Sequence, residues 1–197
     1  WLAKILDDMG NPQEAQTILI KATEISPRAL GRQRELGAIA HRNQDLKTAV
    51  LSFKTAVKNG KNSAFKTPAD YTTLAKVLVD VNSSEEGLSV LKNAQQEFPR
   101  DMGATVQLGL AENFIYQKLN KQEEARESIN KVIRAAGKSS VKLPADVELE
   151  LAKSLIQSGD SEKGKEIIRK LIKSNHENEE LISDTKKMFE GLDMAQE

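Results

Sequence analysis

The chain has 197 residues, of which 39% are hydrophobic, and this is enough for a buried core in one domain or in two small ones. Its 29 basic and 29 acidic residues cancel to a formal net charge of zero, so the composition provides no overall field that would attract nucleic acid or an anionic membrane. Cysteine is absent, which excludes disulfides, thiolate metal sites and a cysteine nucleophile; because a long apolar run and a signal-like N-terminus are also missing, we expect a cytoplasmic protein.

Apolar residues recur at helical spacing through nearly the whole chain, and short polar turns interrupt them. β-Branched runs that alternate with polar residues are missing. The pattern predicts eleven helices and no strands, near residues 1–9, 12–25, 29–43, 46–59, 68–81, 84–97, 103–118, 121–136, 145–158, 161–174 and 177–190. The first helix begins at once, without an initiator Met, so we expect the chain to be a fragment of a longer protein.

The turns between these helices carry boundary signals. The Gly-Asn-Pro sequence at 10–12 places a helix stop, a cap and a first-turn proline in succession. Asp45, Asn120 and Asp160 are each predicted to cap the helix that follows. Ser83 and Glu86 fit the spacing of a capping box.

The second helix of each successive pair repeats one pattern of residue sizes. A small residue is followed four positions later by a large one, and three positions further by a small or medium one. The five copies are Ala15-Leu19-Ala22, Ala49-Phe53-Ala56, Gly87-Leu91-Ala94, Ala125-Ile129-Val132 and Gly164-Ile168-Leu171. They begin at positions 15, 49, 87, 125 and 164, which are 34, 38, 38 and 39 residues apart. A helix pair repeated at such intervals predicts a solenoid rather than a globular bundle.

The first helices obey a matching rule, with a large residue and then a small one twelve positions before each second-helix pattern. Four copies follow it: Leu2-Ala3, Leu36-Gly37, Leu74-Ala75 and Leu151-Ala152. The fourth copy departs from it, because Glu112 and Asn113 stand where two helices should pack closely. We expect Asn113 either to mark a bend or to be satisfied by a neighbouring backbone group.

These residues resemble the motif of the tetratricopeptide repeat family, which has a Leu-Gly-like pair in the first helix and Ala, Phe, Ala and Pro around the second. The resemblance implies an all-α superhelix of about five helix-turn-helix repeats over 1–174. The expected repeats are about 1–29 (truncated), 30–63, 68–101, 106–139 and 145–174. Residues 175–197 are expected to form a capping helix and tail, and the alternative for this helix is that it binds a partner.

In this family the first helices line a concave groove that usually holds a peptide or a helix of another protein. The groove positions carried over to this sequence predict eight partner-binding residues: Arg34, His41, Arg42, Lys76, Leu110, Phe114, Lys118 and Lys153. This lining is mildly basic with an apolar patch around Leu110, Phe114, Leu149 and Ile156, which suits a partner with an acidic segment beside hydrophobic anchors. For Leu110 and Phe114, simple packing against neighbouring helices remains an equal alternative.

Catalytic chemistry has little support in the sequence. The two histidines, His41 and His176, are far apart, and neither is accompanied by a nucleophile, a phosphate loop or a paired metal ligand. We therefore predict a protein that is not an enzyme, with no cofactor, no metal site, and neither nucleic acid nor membrane as a partner.

A closer resemblance covers the stretches 2–26, 32–45, 65–76 and 89–100, including the sequences at 66–71 and 95–100. They are similar to the C-terminal tetratricopeptide region of bacterial response regulators that also carry a phosphate-accepting receiver domain. This resemblance implies the output module of a two-component phosphorelay, with the receiver before Trp1. The alternative is a structural module for homo-oligomerisation, such as a homodimer, with no ligand in the groove.

Overall fold

The computed structural model describes residues 2–138, 145–157 and 159–174, together with residue 183, and every regular element within them is a helix. The helices are α1 (Leu2–Asp8), α2 (Pro12–Ile25), α3 (Leu30–Arg42), α4 (Leu46–Gly60), α5 (Pro68–Asp80), α6 (Ser84–Glu97), α7 (Met102–Lys118), α8 (Gln122–Lys138), α9 (Ala145–Gln157) and α10 (Ser161–Ser174). The all-helical prediction is confirmed, and ten predicted helices agree with these bounds to within two residues. The predicted helix at 177–190 lies outside the described residues, apart from residue 183.

The chain divides into two compact units. An N-terminal unit, Trp1–Pro99, contains α1 to α6, and a C-terminal unit, Arg100–Glu197, contains α7 to α10. Each odd-numbered helix packs against the even-numbered helix that follows it. In the N-terminal unit α2 also packs on α3 and α4 on α5, and in the C-terminal unit α9 contacts α7 and α8. Neighbour-to-neighbour packing of helix pairs is typical of a repeat structure.

The buried apolar residues divide into clusters, each formed by one helix pair and the first helix of the next pair. The cluster on α1, α2 and α3 contains Ala3, Ala15, Leu19, Leu36 and Ile39. The cluster on α3, α4 and α5 contains Ala40, Ala49, Phe53, Leu74, Val77 and Leu78. The cluster on α7, α8 and α9 contains Val106, Leu110, Ile129, Val132, Ala135, Val147, Leu151 and Leu155. The apolar stabilisation is therefore distributed along the sequence of helix pairs.

The small residues of the repeat pattern allow the close helix contacts that the sequence predicted. A Cβ atom placed on Gly37 would lie 2.9 Å from the ring of Phe53, and one on Gly164 would lie 2.5 Å from Ile156. In the fourth pair the same function falls to Gly109, where a Cβ would lie 2.5 Å from Val132. Even one added methyl group would force these neighbours apart.

The turn inside every pair has the same geometry. One residue in each turn is in the left-handed region: Gly10, Gln44, Asn82, Asn120 and Gly159, with φ of 81°, 61°, 57°, 57° and 89°. The next residue donates its N–H to the carbonyl five positions earlier, at 2.8 to 2.9 Å: Asn11 to Leu6, Asp45 to Ala40, Ser83 to Leu78, Lys121 to Tyr116 and Asp160 to Leu155. This bond and the left-handed residue together form a helix end of the Schellman type.

The predicted helix caps have mixed outcomes. Asp45 caps α4, because its Oδ1 accepts a 3.1 Å hydrogen bond from the N–H of Thr48. The prediction for Asn120 is wrong, since its left-handed backbone ends α7 before α8 begins. The predicted capping box is also wrong. All of α6 is described, and the Ser83 hydroxyl makes no capping hydrogen bond to it; the hydroxyl donates instead to the carbonyl of Val81 at 3.5 Å.

Polar side chains join the helices of the fourth pair. Asn113 is completely buried, and its Nδ2 donates a 2.8 Å hydrogen bond to the carbonyl of Ala125 in α8. The hydroxyl of Ser128 in α8 donates at 2.9 Å to the carbonyl of Gly109 in α7. Of the two expectations for Asn113, satisfaction by a neighbouring backbone group is therefore the one observed.

Candidate partner-binding surface

The eight predicted contact residues all lie on the first helices of pairs. Arg34, His41 and Arg42 are on α3 and Lys76 is on α5, in the N-terminal unit. The other four are in the C-terminal unit, on α7 and α9: Leu110, Phe114, Lys118 and Lys153.

Arg34 forms a bidentate ion pair with Asp70 of α5. Its Nε and Nη2 each donate a 2.6 Å hydrogen bond to one oxygen of the carboxylate, and Nη2 also donates at 2.8 Å to the carbonyl of Phe65. The Arg34 side chain is 34% exposed and that of Asp70 only 7%. The hydrogen bond to Asp70 raises the pKa of Arg34, against the opposing effect of burial. Arg34 is thus held in an internal contact between α3 and α5.

Two more side chains of the same helix contact carboxylates. His41 Nε2 lies 2.7 Å from Asp80 Oδ2 at the end of α5, and both side chains are well exposed. Arg42 Nη2 donates to Asp7 Oδ2 on α1. Side chains of α3 therefore reach both neighbouring first helices.

These pairs change the electrostatic character of the predicted lining. Three of its four basic residues in the N-terminal unit stand beside a carboxylate, and the fourth, Lys76, is half-buried and also has a partner. The positive potential available to a ligand is smaller than a count of basic residues suggests. The electrostatic argument for an acidic segment in the partner is weakened accordingly.

The predicted apolar patch in the C-terminal unit is largely interior. Leu110 is 2% exposed and belongs to the cluster on α7, α8 and α9, so it cannot contact a partner on the surface. Leu149 is also buried. Phe114 remains half-buried, with Lys118 Nζ 5.5 Å from its ring centroid, and Lys153 is exposed on α9. For Leu110 the packing alternative is the correct one.

The acidic partners on the first helices were not identified from the sequence as parts of ion pairs. Each pair joins residues about one repeat apart: Asp7 and Arg42 by 35 residues, Arg34 and Asp70 by 36, His41 and Asp80 by 39. Opposite charges at equivalent first-helix positions of successive repeats are the signal that would have indicated them.

The described residues offer little support for other kinds of site. Among them, no group of three or more His, Cys, Asp or Glu side chains is placed to hold a metal ion. No helix in that part of the chain combines the length and apolar character needed to cross a membrane.

Comparison with known proteins identifies the architecture. The family model described as tetratricopeptide repeat matches residues 1–28 and 114–139, which contain α1 with α2 and the end of α7 with α8. A crystal structure of a thermophilic tetratricopeptide repeat protein from Thermus thermophilus aligns with a TM-score of 0.65 at 18% identity, over 94% of each chain. The fold is that of the tetratricopeptide repeat proteins.

Two further solved structures are similar to this chain along most of its length. A putative kinesin light chain from Podospora anserina with nearly identical repeats aligns with a TM-score of 0.63 at 18% identity, over 88% of this chain and 91% of that chain. MamA from Desulfovibrio magneticus RS-1, from residue 41 to its end, gives 0.54 at 18% identity, over 90% and 93%. No curated protein sequence matches the chain. At these identities the tetratricopeptide repeat fold is what the chains share.

Proposed function

We propose that the chain is a protein–protein interaction scaffold that binds a peptide or a helix of a partner on the first helices of its N-terminal unit. The supporting observation is that Arg34, His41 and Arg42 of α3 contact carboxylates on both α1 and α5. The three first helices thus carry one row of partly exposed polar side chains that their own contacts hold in place. A pre-ordered surface loses less side-chain entropy when a partner binds.

Ala38 marks the centre of this surface. It is exposed on α3, four residues after Arg34 and four before Arg42. Residues four apart lie on the same face of a helix, so a partner on this face would pass over the small side chain of Ala38 between the two arginines. The ion pairs leave donor capacity for partner carbonyl groups, because the Arg42 side chain is 58% exposed.

Site-specific photo-crosslinking tests this surface. We expect a benzoylphenylalanine at position 38 to form a discrete adduct with a cellular partner. The matched control is the same residue in place of Lys92, which is exposed on the second helix α6. Adducts at both positions, or only at position 92, would contradict the proposed face.

Charge reversal provides a second test with the same pair of helices. Arg42→Glu removes an exposed donor of the surface and should weaken capture of the crosslinked partner about tenfold or more. Lys92→Glu should leave capture unchanged, and circular dichroism should show equal helicity for both variants. Arg34 is unsuitable for this purpose, because its loss would leave the buried Asp70 unpaired.

We further infer that this scaffold is the output module of a cytoplasmic two-component response regulator. The support is the resemblance of the stretches 2–26, 32–45, 65–76 and 89–100 to that class. The gene should then encode a receiver domain with a phosphate-accepting aspartate upstream of Trp1. Acetyl phosphate treatment of the full-length protein should change the yield of the adduct at position 38. A gene without a receiver would overturn this inference and leave the scaffold proposal intact.

Homo-oligomerisation is favoured by a different observation. Leu2, Ile5 and Met9, in and just after α1, are 57%, 50% and 69% exposed, and their spacing of three and four residues places them on one side of the helix. A homodimer through this surface would bury them. Light scattering over a range of concentrations should then show a dimer that Ile5→Glu dissociates, and a monomer at every concentration would exclude this function.

A further inference from the structure

A cavity of about 330 Å³ opens on the N-terminal unit among α4, α5, α6 and the residue that follows α4. Its walls come mainly from the second helices α4 and α6, so it is distinct from the first-helix surface proposed for a partner protein. The volume lies at the lower end of the range of small-molecule pockets, which is about 300 to 1,000 Å³.

Tyr71 of α5 lines this cavity and has an unused polar group. The residue is only 4% exposed, and its ring packs edge-to-face on Phe98 with centroids 5.9 Å apart. Within the described part of the chain, its hydroxyl has no hydrogen-bond partner. Burial raises the pKa of Tyr71, and the carboxylates of Glu97 and Asp70 add to this effect, so the hydroxyl remains a donor at neutral pH. Buried hydroxyl groups in proteins nearly always have a partner, which a ligand would supply here.

The charges around the cavity are unbalanced. Glu97 accepts from Lys66 at 3.0 Å and pairs with Lys61 at 3.1 Å. These two lysines hold the pKa of Glu97 below its usual range, and its negative charge is thereby matched. Lys58 is exposed at the rim and has no ion-pair partner among the described residues. The rim therefore carries an excess of positive charge with Lys58 as its available cation.

The rest of the cavity lining consists of apolar walls and the exposed side-chain amide of Asn93. Val57 of α4 and Val90 of α6 are half-buried, and Asn93 is exposed on the same side of α6 as the cavity. A few polar groups around an apolar interior are the usual composition of small-molecule sites.

We infer that this cavity binds a free small-molecule carboxylate with an aromatic or branched aliphatic body. The body would lie between Val57 and Val90, a neutral acceptor would receive the hydrogen bond of the Tyr71 hydroxyl, and the carboxylate would pair with Lys58. The neutral acceptor is required because Glu97 and Asp70 already place negative charge near the hydroxyl. N-Acetyl-L-phenylalanine has all three features and is the probe for the experiment.

Fluorine NMR of the full chain labelled with fluorotyrosine provides the test. The sequence contains two tyrosines, so Tyr71→Phe assigns the two resonances, and Tyr116 serves as an internal control. We expect the Tyr71 resonance to shift with a dissociation constant of about 0.1 to 1 mM, as fits a ligand of this size, while the Tyr116 resonance stays in place. The uncharged N-acetyl-L-phenylalaninamide should bind about three- to tenfold more weakly at low ionic strength.

Two variants connect the binding to the named groups. Lys58→Gln should remove the preference for the acid over the amide, and Lys92→Gln on the same unit should keep it. Tyr71→Phe retains the ring contact with Phe98 and should weaken binding about three- to tenfold, measured through the resonances of the probe. Absence of a shift up to about 10 mM probe, equal shifts of both tyrosines, or an unchanged preference in Lys58→Gln would each overturn the inference.

Discussion

Asn113 of α7 is hydrogen-bonded to the carbonyl of Ala125, the small residue twelve positions later at which α8 packs on α7, with an Nδ2 to oxygen distance of 2.8 Å. Its Oδ1 accepts a 3.0 Å hydrogen bond from Gln117 Nε2. The residue that breaks the sequence pattern thus has a hydrogen bond at each polar atom of its side-chain amide. A directional contact takes the place of an apolar one at this position of the helix pair.

Replacement of Asn113 should destabilise the C-terminal unit, and a charged replacement should cost more than an apolar one. Asn113→Ala loses a buried hydrogen bond and leaves a small cavity, so the free energy of unfolding should fall by about 1–3 kcal/mol. Asn113→Asp places a carboxylate against the Ala125 carbonyl and should lower it by about 3–5 kcal/mol. Urea denaturation followed by circular dichroism measures both. Gln117→Ala, which loses a half-exposed bond, is the control, and an Asn113→Asp variant as stable as the wild type would refute this account.

Replacement of Arg34 should lower the free energy of unfolding, because the buried carboxylate of Asp70 then has no ion-pair partner. Arg34→Ala leaves a 7% exposed carboxylate unpaired, and we expect a loss of about 1–3 kcal/mol, less than for a fully buried pair because the arginine is one-third exposed. Addition of Asp70→Asn to Arg34→Ala should recover part of this loss, since no buried charge then remains. The comparison variant Arg42→Ala, whose side chain is 58% exposed, should cost less than about 1 kcal/mol. Equal losses for Arg34→Ala and Arg42→Ala would show that burial of Asp70 has no energetic weight.

The helix cap at Asp45 should make the free energy of unfolding decrease as the pH falls into the acid range. Hydrogen bonds from Thr48, and then from Gln16 Nε2 at 2.7 Å, hold the pKa of Asp45 below its usual range in the folded state. A depressed folded-state pKa stabilises the protein above the unfolded-state pKa, and this stabilisation is lost as the pH falls through the folded value. Asp45→Asn keeps a capping side chain without the charge, so its unfolding free energy should change less than that of the wild type between about pH 5 and pH 2. Parallel pH profiles for the two proteins would contradict the assignment.

The left-handed turn positions offer a reciprocal pair of substitutions. Gln44, at φ 61°, occupies the position that Gly10, at φ 81°, occupies in the first pair. Gln44→Gly should remove backbone strain and raise the unfolding free energy by as much as about 1 kcal/mol, after the entropy of glycine is subtracted. Gly10→Ala should lower it by about 1–2 kcal/mol, and purely through the backbone, because a Cβ there has nothing within 4 Å. Opposite shifts in the thermal midpoint are the expected result, and shifts of the same sign would contradict it.

Much of the fold was predictable because its signals are local. Helical periodicity and turn residues predicted ten helices to within two residues of their observed ends. The recurring small residues gave the pairing of the helices, since a glycine such as Gly37 permits a close approach that no larger residue allows. Local signals failed where one residue type has two uses: Asn120 suits both a helix start and a left-handed helix end, and the structure has the second.

The sequence placed the predicted surface residues on the first helices, where the structure has them, but it did not predict their contacts. The repeat register assigned Arg34 and Leu110 to first helices, but it did not establish that Arg34 pairs with Asp70 or that Leu110 is buried. Whether a side chain of a first helix is exposed depends on the rotation and distance of the neighbouring pair. Those quantities are set by residues on other helices, such as Asp70, which lies 36 positions from Arg34.

By itself, then, the order of the amino acids determined the helices, their pairing and the repeat, because these depend on residues within a few turns of one another. Only the tertiary structure decided which charges neutralise each other, how Asn113 is satisfied and where Tyr71 lines a cavity. The ion pairs and the cavity depend on how one pair of helices packs on the next, and the contact of Asn113 depends on how α7 packs on α8 within one pair; in each case helix packing sets the balance of burial, charge and hydrogen bonding.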